Sequence, residues 1–281
     1  MAHQLRVVHR TGFRYAQGVS ASHNEARMTP RSTREQFVLA TKLEISPMAW
    51  THGYRDYWGT HVTAFEIAER HERLNVVSTS TVEVSDRVPR GHHLSWETLA
   101  DPVLVDEQVE MLAISDHVEP PSELKRIAAE VRRSSDLPAQ AAQRIIDQIR
   151  DRVAYVPGST EVNTQASAVW EAGAGVCQDL VHLALGGLRS VGIPARYVSG
   201  YVVPSAQAEV GEVRTGESHA WLQYWDGDWV GLDPTNDAPP GDFHIEVGYG
   251  RDYFDVPPLK GVYSGSRSSD MFVEVEITIL A

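Results

Sequence analysis

The chain has 281 residues, of which 42% are hydrophobic, and its 25 basic and 38 acidic side chains give a net charge of −13. This length suits one large domain or two modest ones, and the acidic balance argues against a general nucleic-acid or anionic-membrane surface. No apolar run has the length of a bilayer span or the form of a signal peptide. With one cysteine an internal disulfide is excluded, and we expect a cytoplasmic location.

Short β-rich segments alternate with turns in the first third of the chain. They are residues 5–10, 37–45, 61–67 and 74–84. This spacing predicts a small antiparallel β-sandwich domain over residues 1–90. It contains no candidate nucleophile, so we expect substrate docking, shielding of a cleft or structural support. Residues 91–120 are rich in proline and acidic side chains and are interpreted as a connecting segment with one short helix.

Residues 121–281 are predicted to form an α+β core. Helices are expected at residues 122–133, from 138 onward, at 166–172 and from 177 to about 191. Strands are expected at residues 195–203, 219–224, 229–233 and 271–280.

Cys177, the single cysteine, lies in the first turn of a predicted helix. Gly173 and Gly175 precede it, and Leu180 and Leu188 mark the apolar stripe that follows. Unpaired N–H groups and the positive end of the helix dipole favour a thiolate there, which is a nucleophile's position. The alternative is a small, inert side chain packed beneath the helix.

His219 and Asp233 belong to a predicted hairpin whose turn lies at residues 226–228. A thiol, a base and an acid that orients the base form the set that nucleophilic catalysis requires. The sum of 219 and 233 is even, so the two side chains share a face only if the loop holds an odd number of residues. We therefore predict a three- or five-residue loop, or a bulge, because a two-residue turn would place them on opposite faces.

The segments GVCQDLVHLALGGLRSVGIPARYVSGY, SHAWLQYW, GLDPTN and GRDYFDVPPLKGVYSG resemble those of bacterial transglutaminase-like proteins. These belong to the transglutaminase-like superfamily of papain-type cysteine enzymes, and the amino-terminal part also resembles the N-terminal region of bacterial members. The resemblance implies a papain-like core, with a cysteine helix packed on an antiparallel sheet, after a small β-sandwich domain. It assigns Cys177 as nucleophile, His219 as base and Asp233 as the orienting acid.

The resemblance implies attack on a peptide or isopeptide amide and a thioester acyl-enzyme. Release by water makes a protease or amidase, which we favour, and release by an amine makes a protein-glutamine transglutaminase. A different reading is a non-catalytic interaction module that keeps the fold. We expect a peptide or protein substrate as partner, and we expect neither nucleic acid nor membrane. The protein could also form a homo-oligomer, which the sequence does not decide.

An oxyanion hole needs donors besides the Cys177 backbone N–H, and the candidates are the side chains of Gln178 and Asn163, with Gln165 as a further choice. Asn236 is expected to fix the loop that aims Asp233. No metal-ligand spacing, CxxC pair or calcium-loop pattern occurs, so neither metal nor cofactor is expected.

Three aromatic residues are candidates for an acyl-donor cleft: Trp221, Tyr201 and Trp170. The alternative is that they belong to the core, where hairpin aromatics commonly form cross-strand pairs.

Overall fold

The computed structural model describes residues 3–85, 91–203, 209–265 and 268–281. The fold is α+β, with helices packed on one side of a long antiparallel sheet. The strands are β1 (His3–Val19), β2 (Ala21–Ala26), β3 (Gln36–Ser46), β4 (Trp50–Arg55), β5 (His61–Ile67), β6 (His71–Val84), β7 (Ala154–Tyr155), β8 (Ala174–Gly175), β9 (Ala195–Val202), β10 (Val213–Trp225), β11 (Trp229–Leu232), β12 (His244–Gly250), β13 (Leu259–Ser264) and β14 (Ser269–Ile279). The helices are α1 (Trp96–Leu99), α2 (Pro102–Glu107), α3 (Val109–Leu112), α4 (Ser122–Arg133), α5 (Pro138–Arg152), α6 (Ala166–Ala172) and α7 (Cys177–Ser190), and a 3₁₀ turn covers Tyr253–Asp255.

The sheets join the two halves of the chain. The larger has the order β12-β9-β10-β14-β1-β6-β3, with β11 paired to β10, and the smaller has the order β13-β2-β5-β4. The four segments predicted near the amino terminus lie in β1, β3, β5 and β6. Strands β7 and β8 form a short parallel pair immediately before the cysteine helix.

The C-terminal strands correct the expected domain division. Strand β14 pairs with β1 from Leu5↔Ile279 to Tyr15↔Ser269, and β13 pairs with β2. The segment expected within residues 121–281 therefore completes the amino-terminal sheets, because the apolar faces of β1, β6 and β14 share one core. Strand β14 also pairs with β10, but only with the first four residues of β10, Val213–Gly216. The expected boundary at residue 90 falls at residues 86–90, outside the described residues.

The helical layer packs α4, α5 and α7 against β9 and β10 around one large core. Helices α4 and α6 cover the predicted residues, although Pro121, not Ser122, occupies the N-cap of α4. The connecting segment holds three short helices where one was expected, and side-chain caps from Ser95 and Asp101 start the first two. Across the described ranges, no helix combines the length and hydropathy of a membrane span.

Candidate active site

The start of α7 is held by a carboxylate in the first turn of the helix. Asp179 Oδ2 accepts a hydrogen bond from the backbone N–H of Val176 (2.8 Å) and one from Thr160 Oγ1 (2.5 Å). Burial raises the pKa of Asp179, and the two hydrogen bonds oppose that effect. Gly175 makes room for this cap, since a Cβ there would lie 2.9 Å from Asp179 Cβ. Cys177 is thus presented, partly buried, from a fixed first turn.

The hairpin of β10 and β11 has the predicted odd loop. Trp225 pairs with Trp229, and the three residues between them form the turn, with Gly227 at a φ of 83°. The register pairs Leu222 with Leu232. His219 lies three residues before the first and Asp233 one residue after the second, so both fall on the face opposite to that pair and share it.

His219 and Asp233 are joined by a buried hydrogen bond of 2.7 Å between Nε2 and Oδ2. Burial alone would lower the pKa of His219, but its hydrogen bond with Asp233 and the nearby Cys177 side chain raise it to about 10. Burial alone would raise the pKa of Asp233, but the hydrogen bonds from its neighbours outweigh burial and hold that pKa well below the usual range. The imidazolium and the carboxylate are therefore the favoured forms, and Nδ1 of His219 is the nitrogen left for the thiol.

Asn236 fixes the loop that carries Asp233. Its side-chain Nδ2 donates to Asp233 Oδ2 at 2.8 Å, while the backbone N–H groups of Thr235 and Asn236 donate to Oδ1 at 2.9 and 3.2 Å. The role expected for Asn236 from the sequence is confirmed. Both carboxylate oxygens are thus held in place.

His244 is a member of the cluster that sequence reasoning missed. Its Nε2 lies 3.2 Å from Asp233 Oδ2, and its Nδ1 accepts the N–H of Gly241 at 3.1 Å. Because Nδ1 is an acceptor, Nε2 carries the hydrogen and donates to the carboxylate. The apolar Ile245 and Val247, which alternate with polar neighbours, were the available signal for this strand.

The ligand atoms of His219, Asp233 and His244 lie within 4.8 Å of one another, so this trio could hold a metal ion. In the present arrangement both Nε2 atoms face Asp233 Oδ2. Hydrogen bonding alone accounts for the cluster, since His244 Nε2 has no lone pair to offer a metal while it carries the hydrogen.

Comparison with known proteins supports the resemblance to transglutaminase-like proteins. Residues 5–83 match the family model of the bacterial transglutaminase-like N-terminal region, and residues 125–234 match that of the transglutaminase-like superfamily. An uncharacterized protein of Mycobacterium leprae is 41% identical over 99% of both chains. The chain belongs to the transglutaminase-like superfamily. An uncharacterized protein of Mycobacterium tuberculosis is 34% identical over 98% of this chain and 92% of its own length.

Among solved structures, the "Putative Cysteine Protease from Cytophaga hutchinsonii" matches with a TM-score of 0.78. Its sequence identity is 20%, and the match covers 99% of this chain and 98% of that one. The likeness shows that the two proteins share a fold, amino-terminal strands included.

In this transglutaminase-like fold, the three aromatic residues expected in a cleft are buried. Trp221 is 0% exposed, and its ring lies 6.2 Å from that of His219 and 5.4 Å from that of His244. Tyr201 meets His9 at 3.0 Å in the core of the long sheet, and Trp170 donates to Glu123. None of the three faces an open cleft: Trp170 and Tyr201 lie in the two hydrophobic cores, and Trp221 is fully buried beside the histidines.

The two oxyanion candidates occupy different positions: one is on α7 and the other is in the loop that precedes α6. Gln178 follows Cys177 directly, and its Nε2 donates to the carbonyl of Val162 at 2.9 Å. Asn163 is exposed in the same loop. Gln178 therefore ties this loop to α7, and the roles of both side chains as oxyanion donors stay predictions.

Proposed function

We propose that the protein is a thiol enzyme that opens peptide or isopeptide amides by acyl transfer to Cys177. The observation that carries the proposal is the buried 2.7 Å hydrogen bond between His219 and Asp233 on a hairpin that packs against the helix beginning at Cys177. The nearby Cys177 side chain contributes to the raised pKa of His219. A base held between a thiol and a carboxylate can take the thiol proton and keep it until the leaving group needs it.

The proposed reaction has two halves. The Cys177 sulfur attacks the amide carbonyl, the C–N bond breaks, and the His219 imidazolium gives its proton to the departing amine. A thioester remains, and His219 then takes a proton from water, whose oxygen displaces the sulfur and forms the free acid. Asp233 holds the imidazole in orientation throughout and stabilises its charged form.

Hydrolysis is the favoured second half, because water is always present and needs no dedicated binding site. Resolution by an amine, as in protein-glutamine transglutaminases, is the alternative. The two differ in product, so incubation with a glutamine-containing peptide and a labelled primary amine separates them. Release of ammonia with a new carboxylate indicates an amidase, cleavage of the peptide a protease, and incorporation of the label a transglutaminase.

The deciding experiment is the pH dependence of Cys177 alkylation by iodoacetamide, in the wild type and in His219→Ala. We expect rapid alkylation of the wild type well below the ordinary cysteine pKa of about 8.5, and loss of that reactivity in the variant. A thiol that reacts slowly and indifferently to His219 would contradict the mechanism. It would favour the non-catalytic interaction module instead.

Cys177→Ala provides the matched control for turnover. The change replaces one small side chain with another, so activity should disappear while the thermal unfolding midpoint stays close to that of the wild type. Turnover that persists in this variant would exclude Cys177 as the nucleophile.

A further inference from the structure

A cavity of about 520 Å³ lies beside β11 and is separate from the thiol. Gly231 and Leu232, which directly precede Asp233, form part of its wall, and neither Cys177 nor His219 lines it. Small-molecule sites in proteins commonly enclose about 300–1,000 Å³, so this cavity has the size of a ligand pocket.

Arg196, on β9, is a cation of the cavity wall that lies between two aromatic rings. Its Cζ lies 4.2 Å from the ring centroid of Trp229 and 3.8 Å from that of Tyr249. Its Nε donates to Gln223 Oε1 at 2.7 Å. Aromatic rings hold the guanidinium plane in one orientation, so its remaining N–H groups form a preset donor edge.

A β-bulge brings Tyr249 to this position. Glu246 pairs with Gly200, but Gly248 pairs with the next residue of β9, Ser199, which leaves Val247 as the extra residue. The bulge shifts the alternation of β12, so that Tyr249 falls on the same face as Glu246. The stack around Arg196 is therefore built into the register of the sheet.

The other arginines on the wall have acidic partners. Arg31 Nε lies 3.5 Å from Glu246 Oε1, and Arg34 Nη1 lies 3.9 Å from Asp228 Oδ2. Glu35 also lines the cavity and has an interaction of its own. The acidic side chains of the wall are thus engaged.

Arg196 differs from these arginines. Within the described ranges no carboxylate lies within the 4.0 Å of an ion pair from its guanidinium, and its two terminal nitrogens make no hydrogen bond. Burial lowers the pKa of Arg196 to about 10, and the more distant carboxylates of Glu246 and Asp228 oppose that shift. Because neither carboxylate contacts the guanidinium, an anion in the cavity would offset the remaining cost of desolvation by bonding directly to its terminal nitrogens.

We propose that this cavity binds a monocarboxylate with an apolar body, whose carboxylate accepts hydrogen bonds from the terminal nitrogens of Arg196. The planar edge of a guanidinium matches the two oxygens of a carboxylate. Val230, Leu232 and Pro240 supply an apolar wall for the rest of the ligand. The wall carries three arginines and three carboxylates, so a dianionic phosphate would face stronger repulsion from Asp228 and Glu246 than a monocarboxylate would.

The test is calorimetric titration of the Cys177→Ala protein, so that no acyl transfer interferes. N-acetyl-L-leucine should bind saturably, and its neutral analogue N-acetyl-L-leucinamide should bind at least about tenfold more weakly, because it lacks the charge. Equal binding of acid and amide, or no saturable binding of the acid, overturns the proposal. Inorganic phosphate that binds more tightly than the acid overturns the assignment of a monocarboxylate.

Variants locate the contact within the cavity. Arg196→Met should weaken binding of the acid by about tenfold or more, since it removes the charged donor. Arg34→Gln, on the exposed rim of the same cavity, is the matched control and should change affinity by less than about twofold. Undiminished binding to a folded Arg196→Met protein excludes this site.

A measurement on the wild type does not depend on how the variants fold. Phenylglyoxal modifies accessible arginines, and peptide mass spectrometry after digestion reads each one. N-acetyl-L-leucine should protect Arg196 and leave Arg34 reactive, whereas failure to protect Arg196 contradicts the proposal. A free acid and a peptide carboxyl terminus share the proposed chemistry. Tighter binding of a leucine-terminated peptide than of N-acetyl-L-leucine identifies a polypeptide end as the source, and equal or weaker binding identifies a small acid.

Discussion

His244 donates a hydrogen bond to Oδ2 of Asp233 from a strand that pairs with neither β10 nor β11. The same oxygen accepts from His219 and Asn236, so His244 acts on the imidazole through the carboxylate. It is a positioning residue, since it touches neither the thiol nor a reacting atom in the mechanism we propose.

His244→Leu should slow Cys177 alkylation and turnover about tenfold, because the loss of one hydrogen bond to a charged group costs about 1.5 kcal/mol. His244→Gln keeps a donor and should recover most of that loss. His23→Gln, at an exposed site on β2, is the control for histidine replacement. Equal rates in the Leu and Gln variants would indicate a packing role only.

Asp233→Asn should leave a low residual turnover that exceeds that of Cys177→Ala, because the base loses its orienter but remains present. Steady-state rates of the two variants and of the wild type measure the difference. A rate as low as that of Cys177→Ala would exclude the orienting role.

The same substitution should change how stability depends on pH. Folding raises the pKa of His219 from 6.5 to about 10, so the pair stabilises the fold fully below pH 6.5 and progressively less as pH rises through 10. Folding lowers the pKa of Asp233, so the stabilisation that its carboxylate gives the fold is present above pH 3.8 and is lost as the pH falls further.

Denaturant unfolding of wild type and Asp233→Asn across this range is the measurement. The free energy of unfolding of the wild type should exceed that of the variant by the largest amount near about pH 5–6, and this difference should shrink towards pH 10. A gap that stays constant from pH 6.5 to 10 would show that the pair does not raise the pKa of His219.

Gly200 lies against the ring of Trp221, which in turn stacks on the imidazole of His219. A Cβ at this position would lie 2.1 Å from the carbonyl oxygen of Ile245 and 2.6 Å from Trp221 Cη2. Gly200→Ala should lower the free energy of unfolding by about 1–3 kcal/mol, the usual cost of overpacking. Gly241→Ala is the matched control, since no atom lies within 4 Å of the added carbon, and equal midpoints in thermal unfolding would contradict the expected clash.

Asp179→Ala should destabilise the protein by about 1–2 kcal/mol, because it removes the cap at the start of α7. Asp179→Asn keeps an acceptor oxygen, and Thr160→Val removes only the loop contact, so both should cost less. Chemical denaturation of the three variants ranks them. A loss in Thr160→Val equal to that in Asp179→Ala would assign the effect to the loop rather than to the helix cap.

Local periodicity explains what could be predicted from the sequence. The apolar stripe of α7 and the parity argument for His219 and Asp233 depend only on near neighbours in the chain, and the structure agrees with them. His244 could not be placed in the cluster, because alternation shows which residues share a face of a strand but not which strand lies alongside. The family resemblance, confirmed by comparison, came from long ordered motifs.

The same limit explains the errors in domain division and in the cleft. Strand β14 was recognised as a strand, but its pairing with β1 depends on a contact between distant parts of the chain. Trp221 carries a polar N–H and lies next to a functional residue, which made a cleft position plausible, yet its neighbours bury it completely. The cytoplasmic location, the peptide partner and the oligomeric state stay predictions.

The pairing of Leu5 with Ile279 has a consequence for synthesis on the ribosome. Strand β1 is synthesised long before β14, its second neighbour, so one edge of β1 stays open until the ribosome has made residues 269–279. Because domains tend to fold in the order in which they are made, the amino-terminal strands stay in an incomplete sheet until then. Synthesis of β14, rather than emergence of the first strands, is therefore the step that completes this sheet.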